Sequence, residues 1–239
     1  MKESISSNGT VQLTPAQLAQ YIDHTLLKPD ATAVQISALC SEALNFKFAA
    51  VCVNGAHVEL AASLLKGSSV KVASVVGFPF GAMTTSVKAF EAERAVRDGA
   101  KEIDMVMRID LAHTGEFKKI TQDVLEVVRA VESNAIVKVI LETGLLQDQE
   151  IVASAKAAEQ AGAHFIKTCT GYAGAGKSDA TIEHIRLMRA AVSSSVSIKA
   201  SGGIRTIEKA IALIHAGASR LGTSSGVAIM SGANAGETY

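Results

Sequence analysis

Short apolar, β-branched runs alternate along the chain with longer stretches rich in alanine, glutamate and lysine. The runs cover 48–53 (FAAVCV), 70–76 (VKVASVV), 102–107 (EIDMVM), 135–141 (AIVKVIL), 163–168 (AHFIKT), 196–200 (VSIKA) and 219–222 (SRLG), with a weaker one at 22–27 (IDHTLL). Near-continuous apolar runs mark strands buried on both faces, as in parallel sheets. Helical patterns lie between them at 32–46, 84–98, 116–132, 148–161, 178–192 and 206–216. The spacing places Val34, Leu39 and Ala43 on one inner face of the first, and Val87, Phe90, Ala95 and Val96 on that of the second. Gly67, Gly99, Gly162 and Gly217 stand where a helix C-terminus favours glycine, and DGA or AGA recurs at 98–100, 161–163 and 216–218.

Eight strand signals separated by helices in 239 residues predict an α/β fold, a single (β/α)₈ TIM barrel rather than an open doubly wound sheet. No proline- or serine-rich linker divides the chain, so one catalytic domain is expected over 13–230, between a flexible N-terminal segment (1–12) and a flexible C-terminal tail (231–239). The segment 14–20, TPAQLAQ, offers a threonine N-cap and a proline at the first helical position, and predicts a short additional helix covering the bottom of the barrel.

Composition narrows the function classes. Lysine plus arginine and aspartate plus glutamate balance at 23 each, which gives no electrostatic footprint for nucleic acid or an anionic membrane. The first ten residues lack an apolar signal core, and no uncharged apolar run reaches the roughly 18 residues of a membrane helix. Cys40, Cys52 and Cys169 form no CxxC pair, which argues against a disulfide framework or structural zinc. A soluble cytoplasmic protein is expected. The six histidines do not pair at metal-ligand spacing, so neither a metal nor a cofactor is expected.

The informative residues are those that break the strands: Asp104, Lys138, Lys167 and Lys199 lie inside four consecutive apolar runs. An unpaired buried ion costs several kcal/mol. Salt bridges inside the barrel, or lysines snorkelling to a surface, are the structural alternatives for any one of them. As a set, they point to the C-terminal ends of the strands, where barrel sites gather. A lysine attacks a carbonyl only as the free amine, and a neighbouring ammonium together with partial burial favours that form. Lys167 is therefore the candidate nucleophile, with Lys199 as its electrostatic neighbour and Asp104 moving protons through water. Lys138, Thr168, Thr170 and Cys52 are supporting residues, Cys52 as a small hydrophobe lining the barrel. Glycine- and hydroxyl-rich loops follow the last strands: Thr170-Gly171, then Ser201-Gly202-Gly203 with Arg205, then Gly222-Thr223-Ser224-Ser225-Gly226, before a short apolar helix at 227–230. Backbone N–H groups in such loops suit a phosphate. Asp23 and Lys28 are expected to play a structural role, in a polar network or paired with each other, and His24 to be a satisfied polar residue.

The stretches IDHTLLKP (22–29), AAVCVN (49–54), VVGFPFG (75–81), EIDMV (102–106), VKVILETG (137–144), FIKTCTG (165–171), IKASGGIR (198–205) and RLGTSSG (220–226) together resemble the deoxyribose-phosphate aldolases over almost the full length. The resemblance implies a class I, metal-free aldolase that reversibly cleaves 2-deoxy-D-ribose 5-phosphate to acetaldehyde and D-glyceraldehyde 3-phosphate. It assigns the Schiff base to Lys167, proton transfer to Asp104 and Lys199, and phosphate contacts to Gly171, Gly202, Gly203, Gly222 and Ser224. It also implies a homo-oligomer, dimer or tetramer, and a tail in which Tyr239 could help protonate an enamine. The chain departs from the family pattern at Cys169, where serine is usual, which would put a thiol beside the aldehyde site; at Gly55, at Arg108, and at Tyr172, where some relatives carry a lysine that Arg205 could replace. From the residues alone, another phosphosugar lyase or isomerase, or a non-catalytic barrel binding a phosphorylated metabolite, remains open.

Overall fold

A computed structural model describes residues 13–174 and 176–232. Eight parallel strands close into a barrel in chain order, each paired with its sequence neighbour and β8 returning to β1. They are β1 (Ile22–Leu26), β2 (Ala50–Val53), β3 (Lys71–Val76), β4 (Glu102–Val106), β5 (Ile136–Ile140), β6 (Phe165–Lys167), β7 (Ser197–Ser201) and β8 (Arg220–Thr223). The outer helices are α1 (Pro15–Ala19), α2 (Ala33–Phe46), α3 (Val58–Leu64), α4 (Thr85–Arg97), α5 (Ile109–His113), α6 (Phe117–Ala130), α7 (Asp148–Gln160), α8 (Ile182–Ala191), α9 (Ile207–His215) and α10 (Gly226–Ser231). The predicted (β/α)₈ barrel is thus the observed fold.

Local chemistry explains most boundaries. Thr14 and Gln17 form a reciprocal capping box before α1, and Thr32 and Gln35 repeat it before α2. α1 packs against α10 and buries Leu18 and Ala19. Gly99, Gly162 and Gly217 each follow a helix with φ of +113°, +88° and +119°, a left-handed step that costs glycine little. Thr181 caps α8 by accepting from the His184 N–H, so that helix starts later than the 178 expected. α3 and α5 carry too few periodic residues to be marked as helices in advance; α3 ends at Leu64, and Gly67 lies in the turn beyond it.

Two helix faces differ from expectation. Val34 is 79% exposed, and α2 instead buries Ile36, Leu39, Cys40 and Ala43. On α4, Val87 and Phe90 are exposed, whereas Lys88, Ala92 and Ala95 face inward. The reason is a buried ion pair. Lys88 Nζ donates to Asp123 Oδ2 of α6 at 2.7 Å, and Thr85 Oγ1 donates to Asp123 Oδ1 at 2.8 Å. Small alanines beside this pair let the two helices approach, and the larger apolar side chains turn outward.

The main core, including Ile36, Phe48, Ile103, Val124, Ile151 and Ile185, belongs to the shell of strand and helix side chains. A separate small cluster, Cys52, Ala73 and Val75 with Leu27 and Phe78, comes from β2, β3 and the loops above them. Most of the remaining barrel interior is filled by charged side chains.

Candidate active site

Strand register brings the interior charges together. Asp104 pairs in register with Lys138, and Lys167 with Lys199, so neighbouring strands present these side chains to the same interior level. Asp104 is the hub. Lys167 Nζ donates to its Oδ2 at 2.7 Å, Lys199 Nζ to the same oxygen at 2.8 Å, and Lys138 Nζ to Oδ1 at 2.8 Å. Lys138 also meets Glu102 Oε2 at 2.5 Å and Asp23 Oδ2 at 3.3 Å. Lys199 donates to Asp23 Oδ2 as well. Arg220 closes the network from β8, donating to Asp23 Oδ1 at 2.6 Å and lying 3.3 Å from Glu102 Oε2, with its guanidinium over the Phe165 ring. Asp23, Asp104, Lys138 and Lys199 are fully buried.

The electrostatics follow from this packing. Burial alone would raise the Asp104 carboxyl, but Lys138, Lys167 and Lys199 outweigh it and hold the group well below the usual carboxylate range. Asp23 is likewise lowered, burial being outweighed by Lys138, Lys199 and Arg220. Burial opposes charge on Lys138, yet Asp104, Asp23 and Glu102 hold it well above its ordinary value. Lys199 is raised in the same way by Asp104 and Asp23. The direct crowding of two ammoniums expected from the sequence is therefore changed in kind. Asp104 sits between Lys167 and Lys199, and the Lys199 charge is matched by two carboxylates.

A cavity opens above this network at the C-terminal ends of the strands. Lys167 is the member of the cluster that reaches its wall, together with Thr25–Lys28 after β1, Thr170-Gly171-Tyr172 after β6, Ser201-Gly202 after β7 and Gly222-Thr223-Ser224 after β8. Gly171, Gly202, Gly222 and Ser224 are thus gathered on one wall. Gly203 and Arg205 line two adjoining cavities, one of which they share with Gly202, Gly222 and Ser224 and the other with Gly171. Gly202 and Gly203 also have a packing reason to be glycine. A Cβ at 202 would stand 1.8 Å from the Ser178 carbonyl oxygen, and one at 203 would stand 2.2 Å from an Asp179 carboxylate oxygen. A Cβ on Gly222 would meet Lys199 Cε at 3.1 Å.

The supporting residues divide. Thr168 Oγ1 donates to the Ser201 carbonyl at 2.8 Å and accepts from the Ser201 N–H at 2.9 Å, pinning β6 to β7 without reaching the cavity. Thr170 lines the cavity, and its hydroxyl and N–H both donate to Glu142. Cys52 belongs to the small apolar cluster, where burial raises its thiol to about 11. Cys169 is buried away from the cavity, 3.4 Å from Thr143 Oγ1, so the thiol expected beside an aldehyde is not there. Asp23 joins the ion network and does not pair with Lys28. His24 is satisfied at one nitrogen only: Nε2 lies 2.6 Å from Glu42 Oε2, and Nδ1 is buried without a partner. Residues 1–12 and 233–239, with Tyr239, lie outside the described residues. Arg108 forms a two-pronged pair with Asp110.

Three participants escaped the sequence reading: Glu102, Arg220 and Glu142. Arg220 and Glu102 carried the signal already used, a charge within an apolar run. Glu142 carried none. It is 2% exposed, burial raises its carboxyl, and its backbone is left-handed (φ 61°, ψ 57°), a conformation costly for a non-glycine residue. Among the described residues no cluster of three histidine, cysteine, aspartate or glutamate side chains is placed to hold a metal ion, and no helix is long and apolar enough to cross a membrane.

Comparison with known proteins decides the family. Residues 17–232 match the profile described as DeoC/LacD family aldolase. The chain belongs to the DeoC/LacD family of aldolases. It is 48% identical over 230 residues to the deoxyribose-phosphate aldolase of Carboxydothermus hydrogenoformans, covering 95% of this chain and 100% of that one. Among solved structures, a putative deoxyribose-phosphate aldolase from Coccidioides immitis superposes with a TM-score of 0.88 at 42% identity, covering 92% of this chain and 86% of that one. A deoxyribose-phosphate aldolase from Aeropyrum pernix, described as tetrameric, gives 0.84 at 31% identity, with 91% of each chain covered. As an aldolase, the chain is a carbon–carbon lyase, and the lysine–carboxylate cluster is its candidate catalytic centre.

Proposed function

We propose that this aldolase reversibly cleaves 2-deoxy-D-ribose 5-phosphate into acetaldehyde and D-glyceraldehyde 3-phosphate through a Schiff base on Lys167. The observation that carries the reading is the position of Lys167 Nζ, on the cavity wall and 2.7 Å from buried Asp104. Three carboxylates (Asp23, Glu102, Asp104) face four cations (Lys138, Lys167, Lys199, Arg220) in the cluster. Lys167 is the cation of the cluster that is open to substrate, and it is paired with a single carboxylate. The free amine is the form that adds to an aldehyde.

In the cleavage direction the Lys167 amine adds to C1 of the open-chain sugar. Proton transfer through Asp104 and Lys199 lets the carbinolamine oxygen leave as water and gives a protonated imine. Loss of the C3 hydroxyl proton then breaks the C2–C3 bond. The bonding pair moves into the imine, forming an enamine on Lys167 and releasing D-glyceraldehyde 3-phosphate. Protonation of the enamine carbon and hydrolysis release acetaldehyde and restore the amine. The iminium is the electron sink, so the scheme uses no metal and no cofactor. Gly171, Gly202, Gly222 and Ser224 offer backbone and hydroxyl donors toward the phosphate end, with Gly203 and Arg205 behind them.

The three described cysteines are free thiols, which suits a reducing cytoplasm. A homo-oligomer is proposed with it, supported by the tetramer described for the Aeropyrum pernix relative. Borohydride reduction in the presence of acetaldehyde should add the corresponding mass at Lys167 in a peptide map, and deoxyribose 5-phosphate should be cleaved equally with and without chelator. An unmodified Lys167 in an active, trapped enzyme sinks the assignment.

A further inference from the structure

Glu142 is buried just beyond β5, and nothing in the mechanism above uses it. Its backbone is left-handed at φ 61° and ψ 57°, a conformation that glycine would take at little cost. The main chain there is fastened to β6: the Glu142 and Thr143 N–H groups both donate to the Thr168 carbonyl, at 2.8 and 3.2 Å. The side chain lies against the same segment. Glu142 Oε1 accepts from the Thr170 N–H at 3.1 Å, and Oε2 accepts from the Thr170 hydroxyl. Thr170 lines the Lys167 cavity; Glu142 does not.

These contacts fix which way the Thr170 hydroxyl can bond. A threonine hydroxyl has one proton and two lone pairs. Its proton is committed to Glu142, and one lone pair accepts from the Tyr172 N–H at 3.0 Å. What it keeps for the cavity is the second lone pair, so it can accept from a substrate but cannot donate to one. A hydroxyl can fill that role, and a carbonyl or a methylene cannot. The C3 hydroxyl of the sugar is the aldehyde oxygen before the C2–C3 bond forms, so the hydroxyl that an incoming aldehyde brings is the one on its carbon 2, which is C4 of the sugar. Resting on the deoxyribose 5-phosphate reading, we infer that Glu142 is a positioning residue: through Thr170 it presents a fixed hydrogen-bond acceptor to the cavity, and so sets a preference for 2-hydroxyaldehydes over aldehydes without that hydroxyl as partners of the Lys167 enamine.

The test joins acetaldehyde to lactaldehyde (2-hydroxypropanal) or to propanal, which differ by that one hydroxyl, and compares kcat/KM for the two in the intact protein, Glu142→Gln, Thr170→Val and the double variant. The intrinsic reactivities of the two aldehydes cancel between proteins. Glutamine has one acceptor oxygen where the carboxylate has two. With that oxygen on the Thr170 N–H, its amide nitrogen donates to Thr170 Oγ1 and turns the hydroxyl proton toward the cavity. One hydrogen bond is worth about 3- to 10-fold. Glu142→Gln should therefore lower the lactaldehyde-to-propanal ratio by that factor, through a higher KM for lactaldehyde, with propanal little changed. Thr170→Val should lower it as much, and the double variant no further. A clamp that merely holds the loop would weaken both aldehydes together and leave the ratio as it was, which overturns the proposal. An unchanged ratio in Thr170→Val overturns it as well, whether or not Glu142→Gln folds. Borohydride trapping with acetaldehyde separates the two levels. A labelled Lys167 with an unchanged ratio rejects the role of Glu142 alone, whereas an unlabelled Lys167 refutes the Schiff-base reading and the inference with it.

Discussion

Replacing Asp104 with asparagine removes one negative charge from the point where three ammoniums converge at 2.7, 2.8 and 2.8 Å. The side chain is fully buried and the substitute nearly isosteric, so lost packing contributes little. What remains is four cations facing Asp23 and Glu102 without solvent to spread the charge. Breaking a buried ion pair by removing one partner costs about 3–5 kcal/mol. For a chain of this size that is a fall in Tm of roughly 6–20 °C. The pH dependence gives a sharper test. The folded Asp104 carboxyl is held well below its unfolded value of about 3.9. Its contribution is therefore present above that value and is lost only as pH falls through the lower folded one. The stability gap between parent and Asp104→Asn, measured by urea unfolding, should be constant from pH 7 to 5 and should narrow only below about pH 4. A Tm change within about 2 °C, or a gap that widens in acid, would refute the reasoning.

Lys88→Met should destabilise by about 3–5 kcal/mol, because Asp123 is left buried without a counter-charge, keeping only the Thr85 hydroxyl; the double variant Lys88→Met/Asp123→Leu should recover most of that in thermal unfolding. Gly222→Ala should cost about 1–3 kcal/mol and lower turnover, since the new Cβ presses on Lys199 Cε and Ser201 Cβ; scanning calorimetry and steady-state kinetics read the two effects. Cys169→Ser should leave kcat/KM within about 2-fold, because the thiol lies off the cavity wall; a large loss would place it at the substrate after all.

The barrel was legible because its strands are buried on both faces and so read as apolar runs, in which a charge stands out. Asp104, Lys138, Lys167 and Lys199 were found that way. Arg220 answers to the same criterion but lies in the shortest run, and Asp23 lies in the weakest. The helix faces were read less well. Val34, Val87 and Phe90 are apolar and correctly spaced, yet the inward face of α4 is set by Lys88 reaching Asp123 on another helix, a contact 35 positions away. Glu142 left no trace in the pattern, because its backbone twist and its grip on Thr170 exist only once β5 and β6 lie side by side.

The shared oxygen of Asp104 has a consequence for anyone wishing to reshape this enzyme. Below Lys167 the interior is an interlocked salt lattice with no slack, and a single exchange there disturbs every other member. Freedom to accept a longer, branched or uncharged aldehyde therefore lies almost wholly in the crown of segments after β1, β3 and β6, where Lys28, Phe78 and Tyr172 can be redrawn without touching the chemistry beneath.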